Sequence, residues 1–281
     1  MSMGAVSEIE TAPSVAALKE GLFLDVFKRA MPSITADSSI LVAGSVLGIH
    51  GIDALTIMRK GVNTGEIVGG RNILTGLLQA FPRNLRAYIM SKCSSISTRL
   101  PVVRYDAPLP DLLSRFIATK FGLAFVHKTE SALISLSDLL QLYDKGLIDS
   151  DLTCKDVASA PFRLRDDAPF KEALEEMIRR QIRRVFVNDD NAFISDRTAI
   201  NYIFSPEGIK ILRDELYTTS IHEIGMMEAT QVKGNLPLKE AARLLLRDKG
   251  NCLLSETGLI TPWDCVVKPF QMNALSIRHD V

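Results

Sequence analysis

The chain predicts an α+β fold of four β-α-β-β-α units that pack in pairs, and three observations predict it. First, one strand-to-helix corner recurs at Gly69/Asn72, Ser135/Asp138, Ser195/Thr198 and Thr261/Asp264, at steps of 66, 60 and 66 residues. Second, a helical stripe in one phase runs ahead of each corner: Ile40, Ala43, Gly44 and Leu47; Leu109, Leu112, Leu113 and Phe116; Phe170, Ala173, Leu174 and Met177; Leu238, Ala241, Ala242 and Leu245. That i, i+3, i+4, i+7 spacing marks a helix with one buried face. Third, a helix-start residue precedes each stripe: Ser39 before the first, and Pro108, Pro169 and Pro237 before the others.

Each unit reads in one order. An extended segment (Pro101–Arg104, Thr230–Lys233) leads into the striped helix. A short apolar strand follows: Ala54–Ile57, Leu123–Val126, Arg184–Val187 or Cys252–Leu254. A tight turn returns the chain along a second strand to the corner, where a second helix opens, as in Asp138–Tyr143 and Thr198–Phe204. About sixty residues is little for a self-sufficient core, so pairing is expected. The first pair spans 1–147 (copies about 28–80 and 98–145) and the second 148–281 (copies about 156–205 and 220–272), with polar Lys145–Asp156 as the joint. The segment to about Ala17 is expected to be partly disordered, and Val15–Phe27 to add a helix.

Composition narrows the function classes. A formal charge of zero with 47% hydrophobic and 23% charged residues fits a folded soluble protein, and argues against nucleic-acid or polybasic membrane binding in bulk. The most apolar stretch, Ile40–Ile52, is broken by three glycines, Ser45 and His50, well short of the ~18 residues that span a bilayer. The first twelve residues carry two glutamates and no basic cluster, so no secretion signal is expected. Cys93, Cys154, Cys252 and Cys265 lack metal or CxxC spacing and read as reduced thiols of a cytoplasmic protein. His50, His127, His222 and His279 lie far apart. No metal site is expected, and no nucleophile–base arrangement marks an enzyme.

The most informative stretch is Gly258–Lys268. It places the Thr261 hydroxyl and the Asp264 carboxylate at the start of a helix whose φ Pro262 presets. The same pattern is a capping box, so the corner alone fits either a helix cap or a binding site.

Taken with Ala168–Met177, Ile182–Val187 and Leu236–Ala242, the corners resemble the cystathionine-β-synthase (CBS) domain family, arranged as two tandem Bateman modules. The resemblance covers nearly the whole chain and is weakest in copy one. It implies pseudo-twofold pairs, no catalytic domain, and regulation by an adenine nucleotide (AMP, ADP or ATP). It also implies that the corner Asp holds the ribose hydroxyls, which suits an acceptor-only carboxylate facing a vicinal diol. Those positions are Ser135 with Asp138, and Thr261 with Asp264. The implied adenine slots are Val103, Ala124 and Leu133 in copy two, and Val232, Cys252 and Leu259 in copy four. Copies one and three, with Gly69/Asn72 and Thr198, are expected to be degraded.

Beside those corners, Arg71 is expected to reach the phosphate held by copy two and Arg197 that held by copy four, with Arg104 and Lys233 as further candidates. The basic run Arg179–Arg184 is expected to be a solvated or phosphate-cleft edge. The expected partners are the nucleotide, an unidentified regulated protein and a second copy of the chain. The rival readings are a scaffold with vestigial pockets, and a binder of another adenosyl ligand such as S-adenosylmethionine.

Overall fold

The predicted unit occurs four times in the computed structural model, which describes residues 32–80, 84–127, 131–211, 218–248 and 252–277. The expected helix at Val15–Phe27 lies outside the described residues. Unit 1 comprises β1 (Ser33–Thr35), α1 (Ile40–His50), β2 (Ala54–Arg59), β3 (Val62–Gly69) and α2 (Gly70–Ala80), followed by α3 (Leu85–Met90). Unit 2 comprises β4 (Thr98–Arg99), β5 (Val102–Arg104), α4 (Leu109–Thr119), β6 (Leu123–His127), β7 (Ser131–Ser135) and α5 (Leu136–Asp144). Unit 3 is approached through β8 (Ile148–Asp149) and α6 (Cys154–Val157). Its own elements are β9 (Arg163–Leu164), α7 (Phe170–Arg180), β10 (Arg184–Val187), β11 (Ala192–Ser195), α8 (Asp196–Ile203) and α9 (Pro206–Ile211). Unit 4 comprises β12 (Met227–Glu228), β13 (Thr230–Gln231), α10 (Leu238–Arg247), β14 (Leu253–Ser255), β15 (Gly258–Ile260) and α11 (Pro262–Gln271), and the described chain ends in β16 (Ser276–Ile277).

One wiring rule serves all four units. The lead strand pairs in parallel with the first hairpin strand, and the hairpin itself is antiparallel. A parallel neighbour needs a crossover, and the striped helix supplies it. The stripe residues from all four helices are buried. Pro108, Pro169 and Pro237 stand at the N-caps, where a proline costs the helix no hydrogen bond. Three of these helices end on a left-handed residue, Gly51 (φ 59°), Lys120 (φ 53°) and Gln181 (φ 58°), which turns the chain back toward its strand.

Each unit meets two others through different faces. The helix sides of units 2 and 4 share one core, built on Leu113, Phe116, Tyr143, Leu245 and Val266. Those of units 1 and 3 share another, built on Ile40, Leu74, Phe170, Leu174 and Ile200. The opposite sheet faces pack unit 1 on unit 2 through Ala54, Ile67 and Phe125, and unit 3 on unit 4 through Phe186, Phe193 and Cys252. At the unit 1–unit 3 contact Gly44 is required, because a Cβ there would lie 2.6 Å from the Phe204 ring.

Lys145–Asp156, the expected joint, is tied to unit 4 by backbone hydrogen bonds. Strand β8 pairs with β16, and the backbone N–H groups of Cys154 and Lys155 donate to Leu236 and Gly234 of unit 4 at 2.9 and 2.8 Å. Ser159 and Leu259 then exchange two backbone hydrogen bonds at 2.9 and 2.8 Å. Other approach segments are held the same way: Ile40 N donates to Ser91 O at 2.9 Å, and Phe170 N to Thr219 O at 2.8 Å. The segment entering one unit thus lies on the unit that faces it. Among the described residues no helix is long and apolar enough to cross a membrane.

Candidate functional site

All four corners share one local hydrogen bond, from the first residue's backbone N–H to the fourth residue's side-chain oxygen, and their charges differ. In unit 2, Ser135 N and Oγ donate to Asp138 Oδ2 at 2.8 and 2.6 Å, and Asp138 N donates back to Ser135 Oγ at 3.2 Å. In unit 4, Thr261 N and Oγ1 donate to Asp264 Oδ2 at 2.8 and 2.6 Å. Ser195 N donates to Thr198 Oγ1 at 2.7 Å, and Gly69 N to Asn72 Oδ1 at 3.0 Å. Each corner is therefore a helix cap. A cap uses little of the residue's capacity: Asn72 keeps its Nδ2 donors, and Asp264 keeps Oδ1.

What meets that spare capacity comes from the neighbouring unit. Asn72 Nδ2 donates to Thr98 Oγ1 at 2.7 Å, and Ser159 Oγ donates to Asp264 Oδ1 at 3.0 Å. Thr98 and Ser159 both lie five residues before a lead-strand residue, Val103 and Leu164 respectively. Met227 holds the corresponding place before Val232, so the strand entering unit 4 carries no hydroxyl there. Reading each unit by itself misses these residues; their signal is a hydroxyl recurring at a fixed distance upstream of the lead strand.

A cleft of about 780 Å³ opens at the unit 1 corner. Its wall combines Arg71 and Asn72 of α2 with Ser97 and Thr98 of the approach to unit 2, and with Lys120 and Phe121 at the end of α4. Ile178 and Gln181, at the end of α7 in unit 3, complete it. Arg71 lies in the first turn of α2, where helix N–H groups and dipole already favour an anion.

The remaining predicted residues divide. Val103 and Ala124 are buried in the helix-side core of unit 2, whereas Leu133 faces the sheet contact with unit 1. Strand register gives the reason: Ala124 pairs with Ile134 while Leu133 pairs with Phe125, so Ala124 and Leu133 face opposite sides. Leu123, which pairs with the corner residue Ser135, holds the place of Cys252 in unit 4. Cys252 and Leu259 do meet at the sheet contact, and Val232 packs toward the helices. Arg184, opposite Ser195, takes the corresponding place in unit 3.

Among the basic candidates, Arg71 alone lines the cleft. Arg197 Nε donates to Asp53 Oδ1 at 2.9 Å, across the unit 1–unit 3 contact. Arg183 pairs with the same Asp53 and, at 2.9 Å, with Asp196, so this exposed part of the basic run is tied into an ion-pair network. Burial would raise the Asp53 carboxyl, but Arg183 and Arg197 outweigh it and hold it well below the usual carboxylate range. Arg104 pairs with Asp106 at the surface, and Lys233 is exposed. Trp263 is half-buried against the core of units 2 and 4. Burial pushes the Cys154 and Cys252 thiols up to about 11, so neither offers a thiolate near neutrality. Among the described residues no cluster of three or more His, Cys, Asp or Glu is placed to hold a metal ion.

The CBS-domain family model matches residues 154–200, from α6 through the unit 3 corner. The chain carries a CBS domain over these residues. Its four units share their arrangement with the crystal structure of protein MJ1225 from Methanocaldococcus jannaschii, described as a proposed archaeal homolog of g-AMPK. That similarity has a TM-score of 0.75 at 19% identity and covers 87% of this chain and 97% of the other. An uncharacterized conserved protein from Pyrococcus horikoshii matches with a TM-score of 0.51 at 13% identity, over 85% of this chain and 96% of its own. No curated protein matches the chain.

Proposed function

We propose that the chain is a regulatory protein that binds an adenine nucleotide (AMP, ADP or ATP) between paired CBS units and reports it through the relative pose of its modules. The cleft at the unit 1 corner carries this reading. Its volume, about 780 Å³, suits a ligand of nucleotide size. Phe121, Ile96 and Ile178 offer an apolar wall for a purine, Asn72 and Thr98 offer polar groups for a ribose, and Arg71 and Lys120 offer two cations for phosphate. The capped carboxylates Asp138 and Asp264, with Ser135 and Thr261, are the further ribose candidates. The cleft wall includes residues of three units, so a ligand there would favour one module pose by its differential affinity for it.

The test is a thermal-shift titration with AMP, ADP, ATP and S-adenosylmethionine. A ligand at a hundred times its dissociation constant adds about 2.7 kcal/mol to the native state, which for this chain length raises Tm by roughly 5–10 °C. A rise with adenylates supports the reading. A rise with S-adenosylmethionine alone transfers the site to that ligand, and no rise with any of them overturns the proposal in favour of a scaffold.

A further inference from the structure

The unit 4 corner alone carries a lysine one turn after its fourth residue. Lys268, one turn after Asp264, sends its ammonium back to Asp264 Oδ1 at 2.8 Å, to Ser159 Oγ at 2.7 Å and to the Val157 carbonyl. Those are all three donors of the group. Asp264 is correspondingly full: Thr261 N and Oγ1 take Oδ2, while Ser159 Oγ and Lys268 Nζ take Oδ1. Its side chain is only 4% exposed. The position four residues after the corner acid is Leu142 in unit 2, Gly76 in unit 1 and Tyr202 in unit 3. Only unit 4 carries a cation there, and it is an i,i+4 partner in the orientation that a helix favours.

We propose that Lys268 is an internal competitor at the unit 4 corner, its ammonium holding the carboxylate oxygen that a ribose hydroxyl would otherwise use. This rests on the adenylate reading for what it excludes, and on geometry alone for the closure. A ribose diol brings neutral O–H donors, which bind a carboxylate less strongly than an ammonium does. To enter, it must also break the ammonium's bonds to Ser159 and Val157. The corner that most closely fits the CBS pattern in sequence is thus shut from within, and nucleotide binds first elsewhere. Because Ser159 and Val157 belong to the segment entering unit 3, the same ammonium ties that segment to unit 4.

Two readouts on the full chain test this. Amine acetylation with peptide mapping, without nucleotide, should find Lys268 modified at least tenfold more slowly than exposed Lys233, with the protection lost in Asp264→Asn. Equal rates for Lys268 and Lys233 overturn the closure. Calorimetric titration with AMP should show an added site, or one tightened at least tenfold, in Lys268→Leu, which copies Leu142 of unit 2. The gain should disappear in Lys268→Leu combined with Asp264→Asn. Identical isotherms for the wild type and Lys268→Leu, with AMP bound by both, overturn the competitor role. If no variant binds AMP, the adenylate reading fails, and the acetylation rates still decide whether the corner is closed.

Discussion

Tyr143 of unit 2 donates a buried hydrogen bond to the backbone carbonyl of Cys265 in unit 4, at 2.9 Å. Both residues lie in the core shared by these units, so the bond joins the two modules where their helices meet. Tyr143→Phe removes the donor, keeps the ring and strands a buried carbonyl. The expected loss is about 1–2 kcal/mol, measured by chemical denaturation, with little change in the slope of the transition.

The other half of the module contact depends on a glycine. On helix propensity alone, Gly44→Ala would stabilise α1 by about 1 kcal/mol. The added Cβ would lie 2.6 Å from the Phe204 ring, and that ring is buried and has little room to move. Overpacking should win, so Gly44→Ala is expected to destabilise by about 1–2 kcal/mol. A gain in thermal stability would show that the contact is looser than described.

Asp53 predicts a pH dependence. Its carboxyl is held below the usual range in the folded chain by Arg183 and Arg197. A depressed folded-state pKa contributes stability above the unfolded value of about 3.9, and that contribution fades as pH falls toward the folded value. Asp53→Asn should therefore cost about 1–3 kcal/mol at pH 7, with the gap to wild type narrowing below about pH 4. Denaturation curves at pH 7 and pH 3 measure this; a constant gap would contradict it.

The corners also carry stability of their own. Asp138 accepts from both Ser135 N and Ser135 Oγ, so Asp138→Ala should lower the ligand-free stability by about 1 kcal/mol. Nucleotide responses of such a variant must be read against its own ligand-free midpoint. An unchanged midpoint would mean that the cap contributes nothing measurable.

These positions show what the sequence could reveal. The four units were legible because each combines a striped helix, a start residue and a corner at nearly constant spacing, and every stripe is buried. The corner chemistry was legible too, because a capping hydroxyl and acid are local. The cleft was not. Thr98 and Lys120 come from unit 2 and face a corner in unit 1, and a residue's own sequence neighbourhood says nothing of a wall contributed from elsewhere. Ala124 and Leu133, expected to line one slot, lie on opposite faces of the hairpin, because strand positions one apart face opposite ways. Lys268 reads as an ordinary helix-surface lysine until the fold brings Ser159, 109 residues away, to its ammonium.

In the proposed function, phosphate of an adenine nucleotide lies against Arg71 in the unit 1 cleft. This placement is tested most directly by isothermal titration of AMP into the wild type and Arg71→Glu. Arg71 is exposed, so the substitution should leave the fold intact, as the ligand-free midpoint would verify. The account predicts binding to the wild type and at least a tenfold loss of affinity in Arg71→Glu, where a carboxylate would meet the phosphate. Equal affinities for the two proteins would contradict it and place the nucleotide elsewhere.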